Sequence, residues 1–208
     1  MPFRVLGASF LRTAARRSEW PPPGVPEFAF VGRSNVGKSS MLNALTRKAG
    51  LARVSNTPGR TRALQFFDVE IQPSGAERVA RIRFADLPGY GYARVSKAER
   101  DRWVEMIESY LRDRETLRAV VLIVDGRHPP QPSDHEALAF LRGTGRAVVV
   151  AVTKLDKLAR NARQPALRKA EAELGLARGE AVPFSAVEGT GSEALWERIA
   201  GIARERPA

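Results

Sequence analysis

Apolar positions along the chain follow two spacings, one typical of strands and the other of helices. Continuous apolar runs at 28–31, 120–124 and 147–152 are typical of parallel strands buried on both faces. Between such runs, apolar residues recur every three or four positions, which predicts helices. Further strands are predicted at 64–71, 79–84 and 181–184, and helices at 38–47, 97–111, 133–141, 163–174 and 192–203. This alternation predicts an α/β fold: a doubly wound, mostly parallel six-stranded sheet with helices on both faces.

Composition excludes several kinds of site. The chain has 208 residues, of which 43% are hydrophobic, and it contains no cysteine. Disulfides, thiolate metal sites and cysteine nucleophiles are therefore excluded. Only two histidines occur, His128 and His135, so a histidine-based metal site is not expected. No apolar run approaches the ~18 residues that a membrane span requires, so membrane insertion is not expected.

Charge points to a polyanionic partner. Basic residues outnumber acidic ones by 34 to 23, which gives a net charge of +11. The 40-residue stretch 28–67 contains seven basic residues and no acidic one, whereas a solvated surface normally mixes both signs. We therefore expect part of this stretch to meet phosphates.

The chain divides by composition into a basic arm with a proline-rich linker, residues 1–26, and a second unit, residues 27–208. The arm carries four arginines before its first acidic residue, Glu19, and ends in the Pro-Pro-Pro-Gly linker at 21–24. Three interpretations stay open: a nucleic-acid-facing arm, an added edge strand and a transit peptide. The scarcity of serine and threonine disfavours the transit peptide.

The strongest motif is Gly32-Arg-Ser-Asn-Val-Gly-Lys-Ser39, which matches the phosphate-binding loop G-x-x-x-x-G-K-[ST]. It follows a predicted strand and opens a predicted helix, which disfavours a chance glycine turn. The glycines let successive backbone N–H groups point at phosphate oxygens. Lys38 would place its charge on the β- and γ-phosphates, and the Ser39 hydroxyl would ligate Mg²⁺. The motif predicts a nucleotide site.

Three shorter motifs each follow a predicted strand: Asp86-Leu-Pro-Gly89, Thr153-Lys-Leu-Asp156 and Ser185-Ala186. In open α/β sheets, ligands bind at the carboxyl ends of the strands. Asp86 can hold Mg²⁺ through water, and the Gly89 N–H can contact the γ-phosphate. The Asp156 carboxylate can accept from N1–H and the exocyclic amine of guanine, whereas adenine presents an acceptor at N1. The four motifs together predict a guanine-nucleotide site.

These motifs carry a family resemblance. Together with Thr57-Pro-Gly-Arg-Thr61 and Asp86-Leu-Pro-Gly-Tyr-Gly-Tyr92, they resemble the EngB (YihA/YsxC) family, among the TrmE-Era-EngA-EngB-Septin-like small GTPases. The resemblance runs from about Pro26 to Trp196. It implies a P-loop NTPase fold of the small-GTPase type, GTP/GDP and Mg²⁺ as ligands, slow hydrolysis of GTP and a cytoplasmic location. It also implies a role in assembly of the large ribosomal subunit, linked to cell division and septation.

The resemblance assigns roles by position. Thr61 would close on Mg²⁺ and the γ-phosphate, so the expected metal ligands are Ser39, Thr61 and Asp86. The expected catalytic residues are Lys38, Thr61, Gly89 and Asn35. The expected nucleotide contacts are Gly32, Arg33, Ser34, Asn35, Val36, Gly37, Lys38, Ser39, Ser40, Gly59, Arg60, Thr61, Arg62, Ala63, Asp86, Leu87, Pro88, Gly89, Thr153, Lys154, Leu155, Asp156, Phe184, Ser185 and Ala186.

Tyr90 stands where Ras-like proteins carry the glutamine that orients the attacking water. Tyrosine lacks that amide's paired donor and acceptor, so unassisted hydrolysis should be slow. In related GTPases an asparagine at the position of Asn35 helps to hold K⁺ beside the phosphates. Two interpretations of Asn35 stay open: a K⁺ site, or simply a residue that tolerates a left-handed backbone.

Basic residues around the motifs suggest folded RNA as the partner, and the resemblance implies that this RNA is ribosomal. They are Arg47, Lys48, Arg53, Arg60, Arg62, Arg94, Lys97, Lys157, Arg160, Arg163, Arg168 and Lys169. Taken singly, each is more simply a solvated charge. Together they favour a phosphate-rich partner recognised by shape. We expect a monomer that binds the large ribosomal subunit and not DNA. The alternative function is a nucleotide-gated RNA-binding module with negligible hydrolysis unless a partner stimulates it.

Overall fold

The fold is an alternation of strands and helices around one sheet. A computed structural model of the chain describes residues 3–52, 63–74, 77–90 and 97–204, with the backbone alone for residues 3 and 97–103. The strands in this part of the chain are β1 (Phe3–Ala14), β2 (Glu27–Gly32), β3 (Leu64–Pro73), β4 (Ala80–Asp86), β5 (Leu117–Asp125), β6 (Ala147–Thr153) and β7 (Val182–Phe184). The helices are α1 (Lys38–Thr46), α2 (Lys97–Asp113), α3 (Pro132–Arg142), α4 (Arg160–Glu173) and α5 (Ser192–Arg204).

The strands pair in the order β1-β3-β4-β2-β5-β6-β7. The β1–β3 and β3–β4 pairs are antiparallel, and every other pair is parallel. The predicted α/β fold with a doubly wound, mostly parallel sheet is therefore confirmed. In the described residues the sheet has seven strands and not the predicted six, because part of the basic arm pairs with β3 as an edge strand.

The pattern of apolar residues does not define β1 as a strand, because its side-chain alternation is interrupted twice. Its register against β3 shifts between Val5 and Gly7 and again between Phe10 and Arg12. Each shift is typical of a β-bulge, which adds a residue and breaks the two-residue period that predicts a strand. Of the three interpretations of the arm, the edge strand is the one that the structure has.

Helices cover both faces of the sheet, as predicted. On one face, α1 and α5 pack Leu42 and Trp196 against Phe28 and Phe84 of the sheet. On the other face, α2, α3 and α4 form a second apolar layer that includes Tyr110, Leu138 and Leu167. The central strands β2 and β5 are buried along almost all of their length, which explains their continuous apolar sequences. Within the described residues, no helix is long and apolar enough to cross a membrane.

Helix α3 begins one residue earlier than predicted. Its N-cap is Gln131, and Pro132 occupies the first helical position, where its missing N–H costs nothing. The carboxylate of Asp134 turns back and accepts a hydrogen bond from the Gln131 backbone N–H at 2.8 Å. Asp134 is consequently held in place by the start of its own helix.

A buried charge cluster lies at the start of β2, and we call Glu27, Asp68, Arg83, Tyr110 and Arg114 the Glu27 cluster. Glu27 is fully buried. Its carboxylate accepts hydrogen bonds from three members of the cluster: from Arg83 at 3.2 Å, from Tyr110 at 2.8 Å and from Arg114 at 2.5 and 3.0 Å. Arg83 also pairs with Asp68 at 2.8 Å. Buried charges need such complete pairing, because a lone one would be strongly destabilising.

The Glu27 cluster also anchors the linker that precedes β2. Arg114 donates to the carbonyl of Pro21 at 2.8 Å, and Arg83 donates to the carbonyl of Pro22 at 3.1 Å. Both bonds use the carbonyl oxygens of prolines, which have no backbone N–H group and cannot act as donors. The linker is thereby fastened to β4 and to the end of α2.

Candidate nucleotide-binding site

The four sequence motifs lie at one edge of the sheet. The loop 32–37 connects β2 to α1, Asp86 ends β4, Thr153 ends β6, and Ser185 follows β7. These strands are parallel, so their carboxyl ends point the same way and the loops that follow them converge. Ala63 directly precedes β3, which runs antiparallel to β4, and therefore lies at this edge as well. Gly59, Arg60, Thr61 and Arg62 lie outside the described residues.

The loop between β2 and α1 has the backbone of an anion-binding loop. Asn35 and Gly37 both adopt left-handed conformations, with φ of +63° and +100°. A Cβ on Gly32 would lie only 2.7 Å from the carbonyl oxygen of Ile123, so a side chain there would collide with β5. Helix α1 then begins at Lys38 without a side-chain cap, which leaves its N-terminal N–H groups available to a ligand.

The motif after β6 supports the same loop from behind. The Thr153 hydroxyl lies 2.6 Å from the carbonyl oxygen of Val36. The ammonium of Lys154 contacts the carbonyl oxygen of Asn35 and lies 3.1 Å from the Asp125 carboxylate. The phosphate-binding loop is therefore tied to β5 and β6 through its outward-facing carbonyls. Its inward-facing N–H groups are not used by these contacts.

Lys38 and Asp86 meet at the centre of this edge. Their side chains are 12% and 6% exposed, and the Lys38 ammonium contacts the Asp86 carboxylate directly. Burial lowers the pKa of Lys38 to about 7, while the neighbouring carboxylate favours the charged form. Ser39, half-buried in the same turn as Lys38, adds a hydroxyl. The three side chains combine a cation for phosphate with two oxygen donors of the kind that Mg²⁺ prefers.

The segment after Asp86 lies against the phosphate-binding loop. A Cβ on Gly89 would lie 3.0 Å from Ser34 Oγ and 3.1 Å from the Ser34 backbone nitrogen, so only glycine fits there without displacing the loop. Tyr90 forms a parallel β-bridge with Arg33. The backbone of Gly89 therefore lies directly against the phosphate-binding loop.

The Tyr90 side chain is directed to α3. Its hydroxyl donates to Asp134 Oδ1 at 2.8 Å, and Asp134 is almost fully buried. Burial and the adjacent carboxylate raise the pKa of Tyr90, so the phenol stays protonated. The hydroxyl is therefore occupied by Asp134. The sequence alone gives Asp134 no role, because the predicted helix begins at 133 and does not identify Gln131 as its N-cap.

The expected base-reading residues lie in two adjacent loops. The Asp156 side chain is 8% exposed and sits in a single helical turn after β6. Ser185 is buried; its N–H donates to the Thr190 carbonyl at 3.0 Å, and its hydroxyl accepts from the Glu188 N–H at 3.0 Å. Gly191 closes this loop, where a Cβ would lie 1.9 Å from the Pro183 oxygen.

Several expected contact residues point their side chains into the core and can offer only backbone atoms to a ligand. These are Val36, Leu87, Leu155 and Phe184, all of which belong to the two apolar layers. Arg33, Ser34, Asn35, Gly37 and Ser40 are at least partly accessible in or beside the phosphate-binding loop, and Ala186 is exposed.

Some of the expected RNA-facing basic residues are paired within the chain. Lys48 donates to the carbonyl of Ala8 at 2.9 Å, Lys157 lies 3.6 Å from Asp156, and Lys169 lies 3.9 Å from Glu173. Arg163 forms an ion pair with Glu188. Arg160 and Arg168 are exposed on α4. Arg53, Arg94 and the side chain of Lys97 lie outside the described part of the chain.

These features together define a P-loop nucleotide-binding protein. A β-strand is followed by a left-handed glycine loop and an uncapped helix, and a carboxylate lies at the end of the adjacent strand. Residues 27–154 match the family model described as a 50S ribosome-binding GTPase. The class is therefore that of the P-loop GTPases.

Similarity to named proteins assigns the chain to one family within this class. The chain is 66% identical over 207 residues to a protein named probable GTP-binding protein EngB of Anaeromyxobacter sp. (strain K), covering 100% of this chain and 96% of the relative. It is 46% identical to the protein of that name in Myxococcus xanthus (strain DK1622), covering 93% of each. The chain belongs to the EngB family of GTP-binding proteins.

Solved structures agree with this assignment. The crystal structure of a probable GTP-binding protein EngB matches with a TM-score of 0.63 and 29% identity, covering 86% of this chain and 100% of that one. The structure of Era in complex with MgGDPNP and a segment of 16S ribosomal RNA matches with a TM-score of 0.69 and 26% identity. That match covers 88% of this chain and 58% of Era.

Proposed function

We propose that this protein hydrolyses GTP to GDP and phosphate and acts as a nucleotide-dependent switch in assembly of the large ribosomal subunit. In this proposal it works in the cytoplasm and affects cell division and septation through ribosome assembly. The observation that carries the GTP site is the convergence of the four motifs around Lys38 and Asp86. The ribosomal role is supported by the family description and by the RNA-bound structure of Era.

In the proposed complex, the N–H groups of residues 34–39 hold the phosphates and Lys38 neutralises them. Ser39 and Asp86, with Thr61, would hold Mg²⁺, which would supply positive charge to the phosphates. Lys38 must then leave Asp86 and turn to the phosphates. The backbone N–H of Gly89 donates to the γ-phosphate, which connects the presence of GTP to the segment after Asp86.

Asp156 accepts from N1–H and the amine of guanine, and the loop from Ser185 to Ala186 covers the guanine oxygen. The remaining residues predicted to touch the nucleotide would complete the contacts around these groups. They include Gly59, Arg60, Arg62 and Ala63 before β3, and Leu87, Pro88, Lys154, Leu155 and Phe184 beside the other motifs. The low exposure of Asp156 supports this role, because desolvation strengthens its discrimination between bases.

Hydrolysis without a partner should be slow, since the Tyr90 hydroxyl is engaged with Asp134 and is not free to orient water. Asn35 is the candidate to hold K⁺ as an additional positive charge. We expect faster hydrolysis in K⁺ than in Na⁺ at equal ionic strength. Asn35→Gly, which retains the left-handed backbone but removes the side-chain oxygen, should lose this difference. Equal rates in the two salts would remove K⁺ from the proposal.

Binding to large ribosomal subunits tests the switch. Pelleting with purified large subunits, in GDP, GTP or a non-hydrolysable analogue, should show the tightest binding with the analogue. Affinity should fall steeply between about 50 and about 200 mM salt, because phosphate contacts release counterions. Small subunits provide the control. Binding that does not depend on the nucleotide would leave a guanine site without the proposed switch.

The alternative function is a nucleotide-gated ribosome-binding module whose hydrolysis is negligible alone. The occupied Tyr90 hydroxyl is the observation that favours it. Single-turnover hydrolysis with and without large subunits separates the two functions: turnover by the protein alone supports the enzyme, and turnover only with subunits supports the gated module.

A further inference from the structure

An ion pair connects the two loops that are proposed to read the base. Arg163 lies in the first turns of α4, and Glu188 lies in the loop after β7. Arg163 Nη1 is 2.8 Å from Glu188 Oε2, and Nη2 is 2.9 Å from Oε1. Two parallel hydrogen bonds of this kind fix the relative orientation of both side chains, which a single contact would not do.

Each partner of this ion pair is also bonded to a base-reading loop. Arg163 Nη2 donates to the carbonyl of Asp156 at 3.2 Å, and Nε donates to the carbonyl of Leu158 at 3.2 Å. On the other side, the Glu188 N–H donates to the Ser185 hydroxyl at 3.0 Å. The contacts run continuously from Asp156 through Arg163 and Glu188 to Ser185.

Strand pairing alone gives these loops limited support. The strands β6 and β7 pair through only three residue pairs, ending at Thr153 and Phe184, and Asp156 and Ser185 both lie beyond that ladder. Guanine is a rigid plane, so its two edges can be bound together only if the loops keep a fixed separation. In the described residues, the Arg163–Glu188 pair is a side-chain connection between the loops where the ladder has ended.

We propose that Arg163 and Glu188 are positioning residues that set the separation of the two base-reading loops and thereby the preference for guanine. This inference rests on the proposed contacts of Asp156 and Ser185 with the base. Neither residue needs to touch the nucleotide. The simpler interpretation, a solvated surface ion pair, predicts little effect of its removal on any property.

The test compares binding of GDP and IDP, measured by calorimetry, in Arg163→Ala, Glu188→Ala and Arg163→Lys. IDP lacks the exocyclic amine and so makes one hydrogen bond fewer with Asp156. Losing the aligned geometry should weaken GDP binding by about tenfold, the worth of one charged hydrogen bond, with a smaller effect on IDP. The GDP-to-IDP preference should therefore fall. Arg163→Lys should behave as Arg163→Ala does, because lysine keeps the charge but not the two-pronged geometry.

Gln164→Ala is the matched control, since Gln164 lies exposed next to Arg163 on the same helix. It should leave both affinities unchanged. Thermal unfolding of each nucleotide-free variant separates positioning from stability. A lower unfolding temperature with an unchanged GDP-to-IDP preference would overturn the inference, and so would full rescue of the preference by lysine.

The variant Asp156→Asn shows whether a negative result contradicts only the positioning role of Arg163 and Glu188 or also the proposed contact of Asp156 with the base. If Asp156→Asn lowers the GDP-to-IDP preference and the Arg163 and Glu188 variants do not, the inference fails and the base-reading role stands. If Asp156→Asn also leaves the preference unchanged, the proposed base contact itself fails, and the inference with it.

Discussion

Replacement of Asp156 by asparagine is expected to transfer base preference from guanine to xanthine. Guanine presents two donors, N1–H and the 2-amine, to the two acceptor oxygens of the carboxylate. Asparagine offers one acceptor and one donor, which match the N1–H and O2 of xanthine. Because the Asp156 side chain is only 8% exposed, a mismatched group cannot turn to water. GDP affinity should fall by about 100-fold or more, and XDP affinity should rise.

Competition titrations of GDP, XDP and ADP against a fluorescent nucleotide measure this change in base preference. Lys157→Ala is the control, since Lys157 is exposed, adjacent in sequence and 3.6 Å from the Asp156 carboxylate. It should change GDP affinity only slightly. A GDP-to-XDP ratio that is the same in Asp156→Asn as in the unmodified protein would rule out Asp156 as the base-reading residue.

Lys38→Ala should impair both nucleotide binding and stability. Binding of GDP should weaken by at least about 100-fold, because the phosphates lose a directly opposed charge. Without nucleotide, the substitution also leaves the buried Asp86 carboxylate without its cation. Breaking a buried pair from one side costs about 3 kcal/mol, so the free energy of unfolding in urea should fall by that order.

The double variant Lys38→Ala with Asp86→Asn separates the two effects. Asp86→Asn removes the unpaired carboxylate charge and should restore most of the free energy of unfolding, while GDP binding stays weak. If the double variant is as unstable as Lys38→Ala, the loss does not arise from Asp86. If Lys38→Ala binds GDP normally, the loop does not use this lysine for phosphate.

The parts of the fold that sequence could predict are those with local signals. The central strands have continuous apolar sequences, and the phosphate-binding loop has its glycines and lysine within eight residues. Their convergence at one edge follows from parallel pairing alone. Strand β1 lacked such a signal, since its two bulges break the alternation and its partner residues in β3 lie 50 to 70 positions later.

The side-chain contacts that complete the candidate site were not predictable for the same reason. Tyr90 and Asp134 are 44 positions apart, Arg163 and Glu188 are 25 apart, and Arg114 and Glu27 are 87 apart. Each pairs charged or polar residues that also occur as ordinary surface residues. Only the packing of distant elements decides that these particular residues meet.

The Glu27 cluster has a mechanical consequence for α2. Tyr110 and Arg114 fix the C-terminal end of this helix to a buried carboxylate, while its N-terminal end at Lys97 adjoins the segment that follows Asp86 and Gly89. Among the described side chains of α2, the buried ones are Met106, Tyr110 and Leu111, so the helix is held mainly toward its C-terminal end. Any reorientation of α2 that accompanies exchange of the nucleotide would therefore pivot at Tyr110 and be largest at Lys97, some 13 residues or about 20 Å away along the axis. The Glu27 cluster also binds the carbonyl oxygens of Pro21 and Pro22, so the linker between β1 and β2 is anchored beside the same end of α2.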